Sequence, residues 1–274
     1  MPAPTSAGTA RCASRVDLVD LPRPVAEVCA RFLELAPPGL VTGLYLRGGI
    51  GFGEWVRGQS DVDFVATLDR RPGDADVDAL KEAHERLASY SSVPFDGLHV
   101  LASDLAADPR ECPDVPTVLH GYFAEGTLDA MVAWHELALN GVTVSGPPLS
   151  EVGVWTSADA LRQFTLDNLD TYWRSNAEAL AKMPSEGERE EACCWCVLGV
   201  ARLHHLLVTG EMTTKSGAGR WGLAHYDERW HRVLREALRI REGGESEYDD
   251  TSARGHDTAE FLASVVAEEP ALRG

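Results

Sequence analysis

The stretch that decides the fold begins Leu44-Tyr45-Leu46-Arg47-Gly48-Gly49-Ile50-Gly51-Phe52-Gly53 and, after a short link, continues Gln59-Ser60-Asp61-Val62-Asp63-Phe64-Val65-Ala66-Thr67-Leu68. Leu40 to Leu46 reads as a strand that ends in a glycine-rich turn. Asp61 to Leu68 reads as a second apolar strand that opens with two acids. Successive strand side chains point to opposite faces, so Asp61 and Asp63 share one face while Val62 and Phe64 turn toward a core. Two neighbouring carboxylates repel each other unless a cation sits between them, and a hard divalent ion such as Mg²⁺ is the natural occupant. The glycine turn exposes backbone N–H groups and keeps side chains out of the way, as close approach to a phosphate requires. Together they describe metal-assisted phosphoryl-group chemistry. Singly they say less, because an isolated Asp-x-Asp commonly caps a turn and a lone glycine run is commonly a loop. No Gly-Lys-Ser/Thr follows, so this is not a Walker A loop, and no helix-opening pattern follows the glycines, as a Rossmann fingerprint would need.

Working outward, Val25 to Ala36 carries apolar residues at helical spacing and is stopped by Pro37-Pro38-Gly39. Asp74 to Tyr90 reads as a helix with acids at its start, where they suit the helix dipole. A third strand, Gly97 to Leu101, follows Asp96. Beyond Gly146-Pro147-Pro148 the character changes: Asp159 to Met183, Glu188 to Thr209 and Glu228 to Arg241 all read as helical. The expected organisation is a flexible arm over 1–15, a mixed α/β domain over 16–150 and an all-helical domain over 151–274. Arg241 to Gly255, polar and glycine-rich, is expected to be an exposed loop.

The chain has 274 residues, with 25 Lys+Arg against 43 Asp+Glu, a formal charge of −18. Such a balance suits a cationic partner or a metal-holding acid cluster and disfavours nucleic acid, whose binding is driven by Lys and Arg displacing counterions. Much of the excess needs no explanation beyond solubility. A hydrophobic content of 44% supports a real core. No run reaches the ~20 apolar residues of a membrane span, and the first fifteen residues lack the apolar segment of a secretory signal. Cys193, Cys194 and Cys196 have neither zinc spacing nor a disulfide framework, so they read as small apolar residues on a buried helix in a reducing, cytoplasmic setting.

The run Gly48-Gly49, eleven residues, then Asp61-Val62-Asp63, with strands on both sides, resembles the signature of the DNA-polymerase-β-like nucleotidyltransferase superfamily. The wording Leu46-Arg47-Gly48-Gly49…Gln59-Ser60-Asp61-Val62-Asp63-Phe64 is similar to the aminoglycoside adenylyltransferases of the streptomycin/spectinomycin 3″(9) type. Leu198-Gly199-Val200-Ala201-Arg202-Leu203 and Val208-Thr209-Gly210…Lys215-Ser216 look like the helical segment and Thr-Gly-x-x-x-x-Lys turn of that family. The likeness runs from about Leu40 to Tyr226.

The resemblance implies ATP and Mg²⁺ as cofactors and a small cationic antibiotic as acceptor, lying between the two domains, with neither nucleic acid nor membrane as partner. Asp61 and Asp63 would bind the metal. Gly48, Gly49 and Ser60 would form the phosphate turn, with Lys215 and, more weakly, Arg202 meeting the phosphates as charges. Many relatives have Ser in place of Gly49. Asp96 falls where the adenylyltransferases carry a Glu that acts as base; being one methylene shorter, it is either the base or a further metal ligand. Phe123 corresponds loosely to the aromatic residue of the antibiotic site. Trp173 and Trp195 occupy core positions or line a substrate cleft. Glu190 and Glu191, in an acidic run with Glu186 and Glu188, either complement the helix start or meet the cationic drug. His204-His205 reads as structural, and His99 lies off the face of Asp96. Two other readings share these residues: transfer of a nucleotide to another small molecule or a protein side chain, and a non-catalytic nucleotide-binding regulator. An intact Asp61, Asp63 and Asp96 set argues against the last.

Overall fold

The computed structural model of the chain describes residues 21–126 and 130–273. The expected arm over 1–15 lies outside the described residues. Contacts divide the chain at Thr156/Ser157 into two compact units, six residues beyond the expected boundary.

The first unit is built on a six-stranded sheet. Its elements are α1 (Arg23–Leu35), β1 (Val41–Leu46), β2 (Val62–Leu68), α2 (Asp74–Tyr90), β3 (Phe95–Leu101), α3 (Ala102–Leu105), β4 (Val115–Leu119), β5 (Tyr122–Gly126), α4 (Ala130–Asn140), β6 (Val142–Ser145) and α5 (Leu149–Val152). The strand order is β5-β4-β3-β2-β1-β6. Only β2 and β3 run parallel, joined through α2, and the other neighbours are antiparallel. A two-residue turn suffices for β4–β5, whereas the parallel pair needs a crossover element.

Alternation along the strands sorts the two faces. Leu44, Leu46, Val62, Phe64 and Ala66 join Val25, Val28 and Phe32 of α1 and Leu87 of α2 in one buried cluster. Tyr45, Val65, Leu98 and Val100 join Ala133, Trp134 and Leu137 of α4 in another. Burying the larger of these side chains contributes about 1.5–3 kcal/mol each, which pins the strand register on both sides. The register settles the parity of the charged residues: Arg47, Asp63 and Asp96 are placed with the α4-facing set.

The second unit is helical: α6 (Ala158–Asn168), a π-turn over Leu169–Trp173, α7 (Arg174–Lys182), α8 (Glu190–Thr209), α9 (Lys215–His225), α10 (His231–Glu242), α11 (Thr251–Ala267) and α12 (Glu269–Leu272). Cys193, Cys194 and Cys196 are buried thiols on α8, and Val197, Leu198 and Val200 of the same helix lie with them in the core. By length and composition α8 is apolar enough to cross a membrane, with a mean hydropathy of 1.4. Its apolar residues, however, are what α10 and α11 bury. The helix itself falls where its pattern predicts, within Glu188 to Thr209.

The expected exposed loop at Arg241 to Gly255 needs correction. Helix α11 starts at Thr251, capped by the Asp250 side chain accepting from Ser252 N–H. The remaining connection is anchored: Tyr248 is 6% exposed, and the fully buried Glu236 carboxylate accepts from Ser246 Oγ at 3.1 Å and Glu247 N–H at 2.8 Å. Polar residues here satisfy a buried acid instead of facing water.

Candidate active site

The antiparallel pairing of β1 with β2 sets Arg47 beside Asp63, with the Arg47 N–H donating to the Asp63 carbonyl at 3.0 Å. The chain then enters the glycine turn. Gly48 has φ +62°, and a Cβ there would lie 2.3 Å from Asp63 Oδ2. The Asp63 carboxylate therefore packs directly on the turn, and only glycine permits both the backbone conformation and the approach. At Gly49 a Cβ would meet the Glu54 carbonyl oxygen at 2.4 Å, the residue whose N–H closes the turn onto the Gly49 carbonyl. Where many relatives carry Ser, this chain has no room for a side chain.

Beyond the turn the Ser60 hydroxyl accepts from Val56 N–H at 3.1 Å. This bond shapes the link that leads into Asp61. Asp61 is exposed, Asp63 half-buried and Asp96 5% exposed. Asp63 and Asp96 are direct partners in the parallel β2–β3 register, so their side chains leave the same face. Asp96 is held from the far side by the β4–β5 turn: His120 N–H donates to Oδ2 at 2.8 Å and Gly121 N–H to Oδ1 at 3.2 Å. Both turn residues have positive φ, the geometry that swings their N–H groups toward one acceptor. Burial raises the Asp96 pKa above its ordinary 3.8 and the Asp61 charge adds to this, against the opposing effect of the two turn N–H groups. The structure thus gathers Asp61, Asp63 and Asp96 at one end of neighbouring strands.

Sequence reasoning missed two residues here. The Arg47 guanidinium lies 3.3 Å from Asp63 Oδ1 and 2.7 Å from Glu136 Oε2 on α4. Glu136 is 4% exposed. An arginine directly before Gly-Gly was a visible signal. Glu136 was not, because it reaches the site only through the packing of α4.

Among the described residues no group of three or more His, Cys, Asp or Glu is gathered closely enough to hold a metal ion. Asp61 and Asp63 supply the hard carboxylate oxygens that Mg²⁺ takes, and Arg47 and Gly48 lie against the two oxygens of Asp63.

Other residues singled out from sequence fall elsewhere. Phe123 lies on β5, against His84 and His99 at ring distances of 6.0 and 6.3 Å; its ring belongs to a core aromatic group, not an open drug face. That group centres on buried His84 and His99, whose Nε2 atoms are 3.1 Å apart. His99 Nδ1 donates to the Pro116 carbonyl at 2.9 Å, so the His84 Nε2–H donates to the bare His99 Nε2. Burial lowers both pKa values, His84 to about 2 with the His99 charge adding, and His99 to about 4. Both are neutral at neutral pH.

In the helical unit Lys215 is the first residue of α9, behind a Thr214 cap that accepts from Gly217 N–H. Arg202 is part-buried on α8. Trp173 is 5% exposed, and a Cβ at Gly199 would sit 2.7 Å from its ring, so it is packed into the core instead of lining a cleft. Trp195, 37% exposed and 4.6 Å from Trp173, shows its ring to solvent. Glu190 is already paired, at 2.7 Å from Arg239 and 3.6 Å from Arg254. Glu191 is exposed in the first turn of α8. His204 is structural, its Nδ1 bonded to the Tyr226 hydroxyl at 2.7 Å.

Residues 168–268 match the family model described as aminoglycoside adenylyltransferase, C-terminal domain. The match falls within the helical unit. The whole chain is similar in fold to the crystal structure of spectinomycin adenyltransferase AAD(9) from Enterococcus faecialis with ATP and spectinomycin, at 14% identity and a TM-score of 0.62, covering 88% of this chain and 98% of that one. No curated protein matches the sequence. The likeness to aminoglycoside adenylyltransferases read from the motifs is borne out by the family match over residues 168–268 and by the shared fold. The fold is shared with that adenyltransferase structure.

Proposed function

We propose that the chain transfers AMP from ATP to a hydroxyl of an aminoglycoside-type antibiotic, in a Mg²⁺-dependent reaction of the kind that confers resistance. The observation that carries this reading is the grouping of Asp61, Asp63 and Asp96 on paired strands beside the Gly48-Gly49 turn, in a chain whose residues 168–268 match the aminoglycoside adenylyltransferase C-terminal domain. The structural relative was solved with ATP and spectinomycin, which supports the choice of nucleotide and acceptor class.

Asp61 and Asp63 would hold Mg²⁺, which when bound neutralises charge on the transferring phosphoryl group and the departing pyrophosphate. The chain's own part is positional and acid–base. Arg47 and Gly48 fix the Asp63 carboxylate from two sides. The hairpin turn at His120-Gly121 fixes Asp96, whose raised pKa makes it a stronger proton acceptor than an ordinary aspartate. Asp96 takes the hydroxyl proton as the acceptor oxygen attacks the α-phosphorus, the P–O bond to pyrophosphate breaking on the opposite side.

The test is incubation with ATP, Mg²⁺ and, separately, spectinomycin, streptomycin and kanamycin, following pyrophosphate release and the mass of the product. A gain of one AMP by any of the drugs supports the reading. ATP binding without transfer to any of them overturns it in favour of another acceptor or a non-catalytic role. The chemistry and charge are compatible with a cytoplasmic enzyme.

A further inference from the structure

The Arg47 guanidinium is shared between two carboxylates. Its Nη2 lies 3.3 Å from Asp63 Oδ1 and its Nη1 lies 2.7 Å from Glu136 Oε2. The Arg47, Asp63 and Glu136 side chains are 12%, 24% and 5% exposed, so water screens their charges only in part. Each comes from a different element: Arg47 follows β1, Asp63 is the second residue of β2 and Glu136 lies within α4.

A buried ion pair is weak evidence for stability, because desolvating the two charges offsets their attraction. Two apolar side chains of similar volume would tie β1 to α4 about as firmly. What an apolar pair would not do is set a fixed positive charge against an oxygen of Asp63. A carboxylate shared with a guanidinium has less negative charge to offer a second cation, and the guanidinium repels that cation directly. Glu136 works in the opposite sense. It holds the same guanidinium through the other terminal nitrogen and by the shorter contact, which returns part of the negative charge to Asp63.

We infer that Arg47 and Glu136 set the affinity of the Asp61–Asp63 pair for a divalent cation: Arg47 holds down the binding of the free ion, and Glu136 limits how far. The inference rests on the Mg²⁺-dependent reading proposed above and adds what adjusts the metal site. A pair of carboxylates weakened in this way fills when the ion arrives with a polyphosphate, whose oxygens complete its shell. Arg47 and Glu136 act through Asp63 and are positioning residues.

The experiment titrates Mn²⁺, which takes the same oxygen ligands, onto the full chain without nucleotide. Free Mn²⁺ is read by electron paramagnetic resonance for the parent, Arg47→Gln, Glu136→Gln and the double variant. Arg47→Gln should bind Mn²⁺ about tenfold more tightly and Glu136→Gln about three- to tenfold more weakly, the scale of one nearby charge in a partly screened site. A purely structural tie gives both variants the same sign, since breaking the pair from either end would loosen the surroundings of Asp63. The double variant puts two amides in place of the ions and should bind more tightly than the parent. It decides alone if circular dichroism shows either single variant unfolded, and parent-like or weaker binding in it overturns the inference. With both single variants folded, unchanged or weaker binding in Arg47→Gln overturns it, as does unchanged or tighter binding in Glu136→Gln. A second titration of the parent, with a non-hydrolysable ATP analogue present, tests the underlying reading. A parent that takes up no Mn²⁺ even then overturns the metal-dependent function and the inference together; uptake there with the wrong signs in the variants overturns the inference alone.

Discussion

Two buried carboxylates, one in each unit, were given opposite tasks. Asp96 is 5% exposed and, among the described residues, accepts from two backbone N–H groups, with Asp61 as a charged neighbour. Glu236 is fully buried, with Arg254 at 2.9 Å, Arg239 close by, and Ser246 and the Glu247 N–H completing its shell. For both groups burial is the largest influence and pushes the pKa up. At Asp96 it wins. At Glu236 the bonds from Arg239, the Glu247 backbone and Arg254 together overcome it and lower the pKa to about 2. An acid without a cation is ready to accept a proton or a metal; an acid between two arginines is a structural tie.

The sharpest way to break this contrast is at the uncompensated end. Asp63→Asn should lower AMP transfer about a thousandfold, the scale of losing a charge that stabilises the transferring group, while circular dichroism shows a folded chain. Transfer at the parent rate would remove Asp63 from the site. Asp96→Asn should cost about 10²–10⁴ in kcat, the range for a general base, with a far smaller change in ATP affinity. An equal fall in ATP affinity would instead make Asp96 a ligand. The corresponding change in the other unit is structural: Glu236→Leu leaves Arg239 and Arg254 buried without their acid and should destabilise the helical unit by about 3–5 kcal/mol in urea unfolding.

The same contrast extends to pH. The depressed Glu236 pKa contributes stability that is complete above its ordinary 4.5 and is lost as pH falls toward about 2. Asp96 works the other way: its raised pKa stabilises the fold below 3.8 and that contribution is lost as pH rises through the folded value. Asp96→Asn should therefore melt slightly higher than the parent at pH 7, with the difference shrinking on acidification, whereas Glu236→Gln should melt lower at pH 7. Chemical denaturation at pH 7, 5 and 3 measures both slopes. At the turn, Gly49→Ser should cost about 1–3 kcal/mol through overpacking against the Glu54 carbonyl.

Legibility followed sequence distance. The glycine turn, Asp61 and Asp63 lie on one hairpin, so alternation alone placed the acids together, and helix α2 runs from Asp74 to Tyr90 as its periodicity predicts. Glu136 meets Arg47 across 89 residues and the His120-Gly121 turn meets Asp96 across 24; no local pattern announces either contact. The sequence leaves Trp173 between core and cleft because an aromatic on a helix reads the same in either setting, and Gly199 on α8 shows the socket it fills. The connection before α11 was read as solvent-facing because its polar residues look alike whether they meet water or a buried acid such as Glu236.

The strand order has a consequence for synthesis. Strand β1 pairs with β2 at once, but its other edge is covered by β6, which begins only at Val142. At roughly 5–20 residues per second, the ribosome takes roughly 4–15 s to travel from Leu68 to Val142, and for that time an apolar strand waits with one row of backbone groups unmatched. An open strand edge is a template for pairing with another chain. The nascent protein is thus most prone to aggregate before its last strand emerges, and a slower passage through α4 would lengthen that exposure.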